Sequence, residues 1–405
     1  MHNATEQRRA IVVGGSLGGL FAANLLMKQG WLVDVFERVP DELAGRGAGI
    51  VTHPELFDTM TAAGIAIDSS IGIQVSSRVT LAQDGSVVLE SSLPQTLTAW
   101  GKMYHALRSA LPDSSYHSGG SVVSVDTFDS HAAVTLADGT VHQADMVIAA
   151  DGFRSTIRQK YLPEVDLQYA GYIAWRGLVE EDLLSPSTHE VLFNKFAFCL
   201  PPHEQILGYP VAGHSNSTVP GERRYNFVWY RTCDTDALQD LLTDASGKVF
   251  EGGIPPTLIR DDVLATMYNA ANTLLSPQFA EVVAKAAQPL FQPIFDLEVP
   301  KMNFGRVALL GDAAFVARPH CGMGVTKAAG DAKALVEALT RQTSVALALS
   351  EYSEERCRFG AAVIKHARHL GAYMQAQQNE NEREVAEFYR TPEAVMRETA
   401  APFQL

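Results

Sequence analysis

The 405-residue sequence predicts an α/β fold carrying two sheets of different character. Three observations point to it. Short apolar runs at 11–13, 146–150 and 307–310 each end in a turn bearing glycine or aspartate, as buried parallel strands do. Between the second and third runs lies a long stretch of alternating, aromatic-rich segments punctuated by turn residues, which reads as mostly antiparallel sheet. After the third run a loop leads into a helix from about Gly322, with C-terminal helices expected beyond it.

Taken in order, residues 11–38 read IVVGGSLGGLFAANLLMKQGWLVDVFER. The strand at 11–13 meets a tight turn from Gly14 to Gly19, and helical spacing follows over 17–29, with Gly30 as a stop. A second strand, 31–37, ends in Glu37, twenty-three residues beyond Gly14. Strand, glycine turn, helix, strand and terminal acid form a Rossmann-like dinucleotide-binding unit. Its backbone approaches a pyrophosphate at the helix N-terminus, and the acid takes ribose hydroxyls. The middle glycine of the usual pattern is Ser16, a small residue whose amide and hydroxyl can still donate to phosphate. Gly15, Leu17 and Arg38 belong to the same turn and strand end. Arg46, in GRGAGI, is a candidate contact to a phosphate or ring.

Around Asp138-Gly139, residues 131–136 and 140–143 read as a hairpin. The second apolar run ends in Asp151-Gly152, a strand followed by a sharp turn. The third, GRVALLGDAAFVARPHCGMG, places Gly311-Asp312 between a strand and a helix starting near Gly322. There a carboxylate can hold sugar hydroxyls while the helix amides take an anion. In the middle stretch, strands are expected over 169–179, 191–200, 205–211 and 223–231, and helices over 234–243 and 256–272.

Composition narrows the function. The formal net charge of −14 disfavours nucleic acid and anionic membrane surfaces as partners. No uninterrupted run reaches the ~20 apolar residues of a membrane helix. Without an apolar core before Ile11 no signal peptide is expected, and a cytoplasmic setting is the default. The four cysteines are scattered, with no CxxC pair, so neither a disulfide framework nor a metal site is expected.

The three turns in this order resemble the class A flavoprotein aromatic hydroxylases, the family of p-hydroxybenzoate hydroxylase. GGSLGG, GAGIVTHPEL, YAGYIAWRG and GDAAFVARPH are similar to its 2,6-dihydroxypyridine 3-hydroxylase branch, which shares the serine. The resemblance implies a GR2-type FAD-binding domain (1–73, 97–168 and 295–375). It also implies an inserted substrate domain (74–96 and 169–294) and a helical tail (376–405). It assigns FAD to Gly14, Gly19, Glu37, Asp151, Gly311 and Asp312, with Gly322, Met323 and Gly324 beside the flavin. Trp100, Phe315 and Thr326 depart from residues frequent in the wider family.

By the same resemblance, NADH or NADPH docks transiently as reductant. Oxygen then reaches an electron-rich ring from a flavin C4a-hydroperoxide, in a site that must exclude water. Pro319 and His320 are placed at the flavin; His320 can hydrogen-bond a ring oxygen or nitrogen and titrate near neutrality. His53 is a second candidate base. Phe198, Tyr209 and Trp229 are candidate substrate contacts among the sheet aromatics. The expected substrate is a hydroxylated aromatic N-heterocycle, foremost a hydroxypyridine. Another phenolic or purine-like ring stays open, as does a non-catalytic FAD- or NAD-binding role. A homodimer is also left open.

Overall fold

The computed structural model describes residues 7–41, 43 and 49–402, so Arg46 lies outside the described residues. The apolar runs form one sheet. Arg9–Val13 sits at its centre, flanked in parallel by Leu32–Glu37 and by Met146–Ala149. Tyr116–Ser118 extends the first side and Val307–Leu309 the second, with Asn303–Phe304 antiparallel at the far edge. The chain thus winds outward from the central strand in both directions. The order reverses between Arg9–Val13 and Met146–Ala149, and the crevice at the carboxyl ends of such strands is where an open α/β sheet takes its ligand.

Helix Leu17–Lys28 buries Leu20, Phe21, Leu25 and Leu26 and packs against the later helix Gly324–Arg341. Gly30 ends it with φ +81°, a left-handed value that suits glycine. The expected hairpin forms from Ala132–Leu136 and Val141–Ala144, and Val122–Thr127 completes a small third sheet.

Among the described residues the second sheet has nine strands, mostly antiparallel. Gln168–Glu180, Arg224–Thr232, Gln205–Val211 and Lys195–Cys199 neighbour one another, and one parallel pair joins Lys195–Cys199 to Ile73–Leu81. Val87–Ala99 and Gly49–Val51 continue it, while Leu290–Glu298 and Phe315–Val316 form its other edge. The strand expected over 191–200 starts later, because Pro186–Leu192 is helical. Ser185 accepts from the Thr188 amide, and Pro186 occupies the first helical turn.

Alternation along these strands separates two cores. Ile173, Trp175, Phe227 and Trp229 face the layer of helices Asp261–Leu274 and Pro277–Lys285. Tyr172, Ala174, Val228 and Tyr230 face the other way, toward the segments that carry the GD turn and the tail. The tail folds as Glu380–Tyr389, begun by an Asn379–Glu382 capping box, and Pro392–Glu398. No described helix is long and apolar enough to cross a membrane.

Candidate active site

A cavity of about 560 Å³ opens at the switch point of the parallel sheet. Gly14, Ser16, Glu37, Arg38 and Asp151 line it, together with Trp100. The glycines are sterically required. Gly14 has φ +108°, and a Cβ there would stand 2.3 Å from the Ala150 oxygen; one on Gly19 would stand 1.9 Å from the Gly14 oxygen. Ser16 precedes the helix without using its side chain as a cap, and no acid occupies the first turn. The first turn of the helix thus presents its positive end toward the cavity with no capping side chain of its own. Glu37 bridges two amides, accepting from Gly15 N at 2.8 Å and Val39 N at 2.9 Å.

Two residues of this turn act differently from expectation. The Gly15 amide is engaged by Glu37, and the Leu17 side chain is buried in the core, so only the Leu17 backbone can serve a ligand. Asp151 keeps Oδ1 buried without a partner, and burial pushes its carboxyl above the usual range. Such an orphaned acceptor fits a ligand hydroxyl.

A second cavity, about 240 Å³, lies where the GD turn and its following loop meet the nine-stranded sheet. Asp312, Pro319, His320, Gly322 and Gly324 line one side. A Cβ on Gly324 would meet nothing within 4 Å, whereas Gly322 (φ +64°) is crowded by Ala400. Arg176, Phe196, Tyr209 and Tyr230 come from the sheet. The GD turn is pinned from below. Asp331 accepts from Gly311 N at 3.1 Å, Lys327 at 3.2 Å and Arg356 at 2.7 Å, and Lys327 donates to the Gly311 oxygen at 3.0 Å. The next loop is held by Arg318, which grips Asp296 at 2.9–3.2 Å with both side chains buried. Breaking such a pair by removing one partner costs about 3–5 kcal/mol.

His320 is fully buried, with its ring centroid 4.0 Å from that of Tyr230. Its Nε2 lies 2.8 Å from the Tyr172 hydroxyl, and its Nδ1 has no partner. Arg318 is a second neighbour of that hydroxyl. A Tyr172 hydroxyl that donates to Nε2 leaves the ring proton on Nδ1, and the other tautomer exchanges the two roles. Titration near neutrality is corrected. Burial, aided by the charges of Arg318 and Arg176, holds His320 well below the ordinary imidazole value. The ring is therefore held in its neutral form.

Four further expectations change. His53 does not line the cavity; it is buried behind Gly322, with Nδ1 2.9 Å from Thr326 Oγ1. Trp229 points to the opposite face, where its Nε1 donates to Glu204 at 2.8 Å, because it is out of phase with Val228 and Tyr230. Phe198 shares the correct face but stacks behind Phe196, which lines the cavity in its place. Met323 turns its side chain into an apolar cluster with Cys321 and Val363, leaving its backbone beside Gly324. Tyr209 and Pro319 do line the cavity.

Arg176 is a candidate functional residue that sequence reasoning missed. Its Nε is buried without a partner, and its charge bears on Tyr209, Tyr230 and His320. The signal was its phase: Tyr172, Ala174 and Arg176 share one strand face.

The chain matches the family described as FAD binding domain over residues 7–172 and 294–367, and one described as FAD binding domain-like over 169–296. It is 30% identical to 2,6-dihydroxypyridine 3-monooxygenase of Paenarthrobacter nicotinovorans over 91% of each chain. It belongs to the class A FAD-dependent aromatic hydroxylases. The solved structure of 2,6-dihydroxypyridine-3-hydroxylase from Arthrobacter nicotinovorans superimposes with a TM-score of 0.85 at 29% identity, covering 93% of this chain and 95% of that one. The chain is also 28% identical to 6-hydroxynicotinate 3-monooxygenase of Pseudomonas fluorescens over 83% of each chain. Membership sets aside the non-catalytic alternative. It also makes FAD the cofactor of this chain.

Proposed function

We propose that this monooxygenase hydroxylates a hydroxypyridine or a closely related hydroxylated N-heterocycle, with O2 as oxygen source and NADH or NADPH as reductant. The observation that carries the reading is the small cavity beside the GD turn, where the neutral His320 and the unpaired Arg176 stand among aromatic walls. Two relatives bear the names of hydroxylated-pyridine monooxygenases. Gly14, Ser16, Gly19, Glu37 and Asp151 would hold the adenosine and pyrophosphate of FAD, and Asp312, Gly322 and Gly324 its flavin end. When bound and reduced, FAD supplies with O2 the electrophilic oxygen that the ring attacks.

The protein's own groups prepare that ring. Arg176 stabilises an ionised ring oxygen, which raises electron density at the neighbouring carbon. His320 donates from Nδ1 to a ring oxygen or nitrogen and so sets the ring's rotation. Phe196, Tyr209 and Tyr230 confine the ring and exclude water. Oxygen uptake with NADH or NADPH across a panel of hydroxypyridines, phenols and purine-like rings, scored by product mass, tests the reading. The hydroxypyridines are expected to give a product heavier by one oxygen, and turnover confined to the phenols or purine-like rings sinks it. Arg176→Met is expected to raise KM and lower kcat with FAD content unchanged, by roughly 10–100-fold in kcat/KM for a lost charged hydrogen bond of 1.5–3 kcal/mol.

A further inference from the structure

One wall of the small cavity comes from neither sheet. Ala400, just beyond helix Pro392–Glu398, lines it beside His320 and Gly322. The Ala400 amide donates to the His320 carbonyl at 2.7 Å, and its Cβ leaves no room for a side chain on Gly322. Ala400 holds φ +50°, unusual for a residue with a Cβ, so something keeps it there.

That something is Arg78. It is fully buried on strand Ile73–Leu81, far from the tail in sequence. Its Nη1 donates to the Met396 and Thr399 carbonyls at 2.7 and 2.6 Å, and its Nη2 to the Ala400 carbonyl at 3.0 Å. Gln95 completes the clasp, accepting from Arg78 at 2.6 Å and donating to the Ala400 oxygen at 2.9 Å. The guanidinium stacks over Phe196, a cavity wall, at 4.9 Å from the ring centroid. Burial lowers its pKa to about 9, still cationic at neutral pH. A buried cation spent on three carbonyls at the end of one short helix is costly unless that helix end must stay in place.

We infer that the end of the tail at Ala400 closes the reaction cavity, latched by Arg78, and that this latch limits the size of ring admitted and keeps water from the flavin end. The inference rests on the reading that this cavity takes the substrate. Arg78 is a positioning residue, since it touches Phe196 and the tail and does not line the cavity.

The test uses the FAD-loaded protein in four forms: wild type, Arg78→Met, Arg78→Lys, and a chain ended after Thr399. Two readouts are taken, iodide quenching of bound-flavin fluorescence and the ratio of hydroxylated product to NAD(P)H oxidised, with a hydroxypyridine and a larger hydroxyquinoline. FAD content is expected to stay near wild type in all forms. Arg78→Met and the shortened chain should quench more steeply, lose at least half of their coupling to H2O2, and gain relative activity on the hydroxyquinoline. Arg78→Lys should recover part of each. Unchanged quenching in both Arg78→Met and the shortened chain overturns the latch, as does unchanged coupling and ring preference. A wild type that hydroxylates neither ring defeats the substrate reading instead, and the quenching comparison still decides the latch.

Discussion

His320 shows what a single residue's surroundings do to its chemistry. In the sequence it is a histidine after a loop proline, with an ordinary imidazole ahead of it. In the structure it is sealed between Tyr172, Tyr230 and two arginines, and its folded pKa falls well below that of the unfolded chain. The native state therefore resists a proton that the unfolded state accepts. Below the unfolded value near 6.5 the unfolded chain binds more protons, so native stability is full above that pH and declines as pH falls through it, by at most about 1.4 kcal/mol per pH unit per group. His53, also lowered by burial, adds with the same sign. Thermal midpoints from pH 5 to 8 should fall on the acid side, and His320→Asn should flatten that fall; an equal slope in the variant would show His320 titrating normally. His320→Asn keeps a donor and should stay better coupled than His320→Ala, in which hydroxylated product per NAD(P)H should drop.

At the scale of the element, one strand decides which aromatics can meet a substrate. Arg224–Thr232 alternates, sending Phe227 and Trp229 to the helix layer and Val228 and Tyr230 to the cavity. The aromatic content was legible in the sequence, but the phase was not, because residues 225–230 are buried on both faces of this strand, the polar Asn226 among them. Trp229 is held by Glu204, whose carboxyl burial raises and Arg231 offsets. Trp229→Phe should leave KM and coupling unchanged while lowering stability by roughly 1–3 kcal/mol, the cost of leaving a buried acceptor short of a donor. Denaturant melts beside steady-state kinetics check both halves. A raised KM at unchanged stability would return Trp229 to the substrate site.

For the whole molecule, the nucleotide crevice joins segments remote in sequence, since Gly14 packs on Ala150 and the GD turn is pinned by helix Gly324–Arg341. FAD bound there should stabilise the assembly by about 2.7 kcal/mol at a hundredfold excess over Kd. Gly14→Ala should abolish that gain, because its Cβ collides with the Ala150 oxygen; a thermal shift on adding FAD that matches wild type would contradict this. The sequence by itself determined the parallel sheet, the glycine- and aspartate-bearing turns at its strand ends and the FAD-binding class. Those features are written in local signals: apolar runs, glycines at forced φ, and an acid at a strand end. Only the tertiary structure decided that His320 is neutral, that Arg176 is unpaired, that His53 lies behind the loop, and that Arg78 clasps a helix more than three hundred residues away. Each of these depends on burial and on partners from distant elements, and a side chain's charge state follows its surroundings rather than its neighbours in the chain.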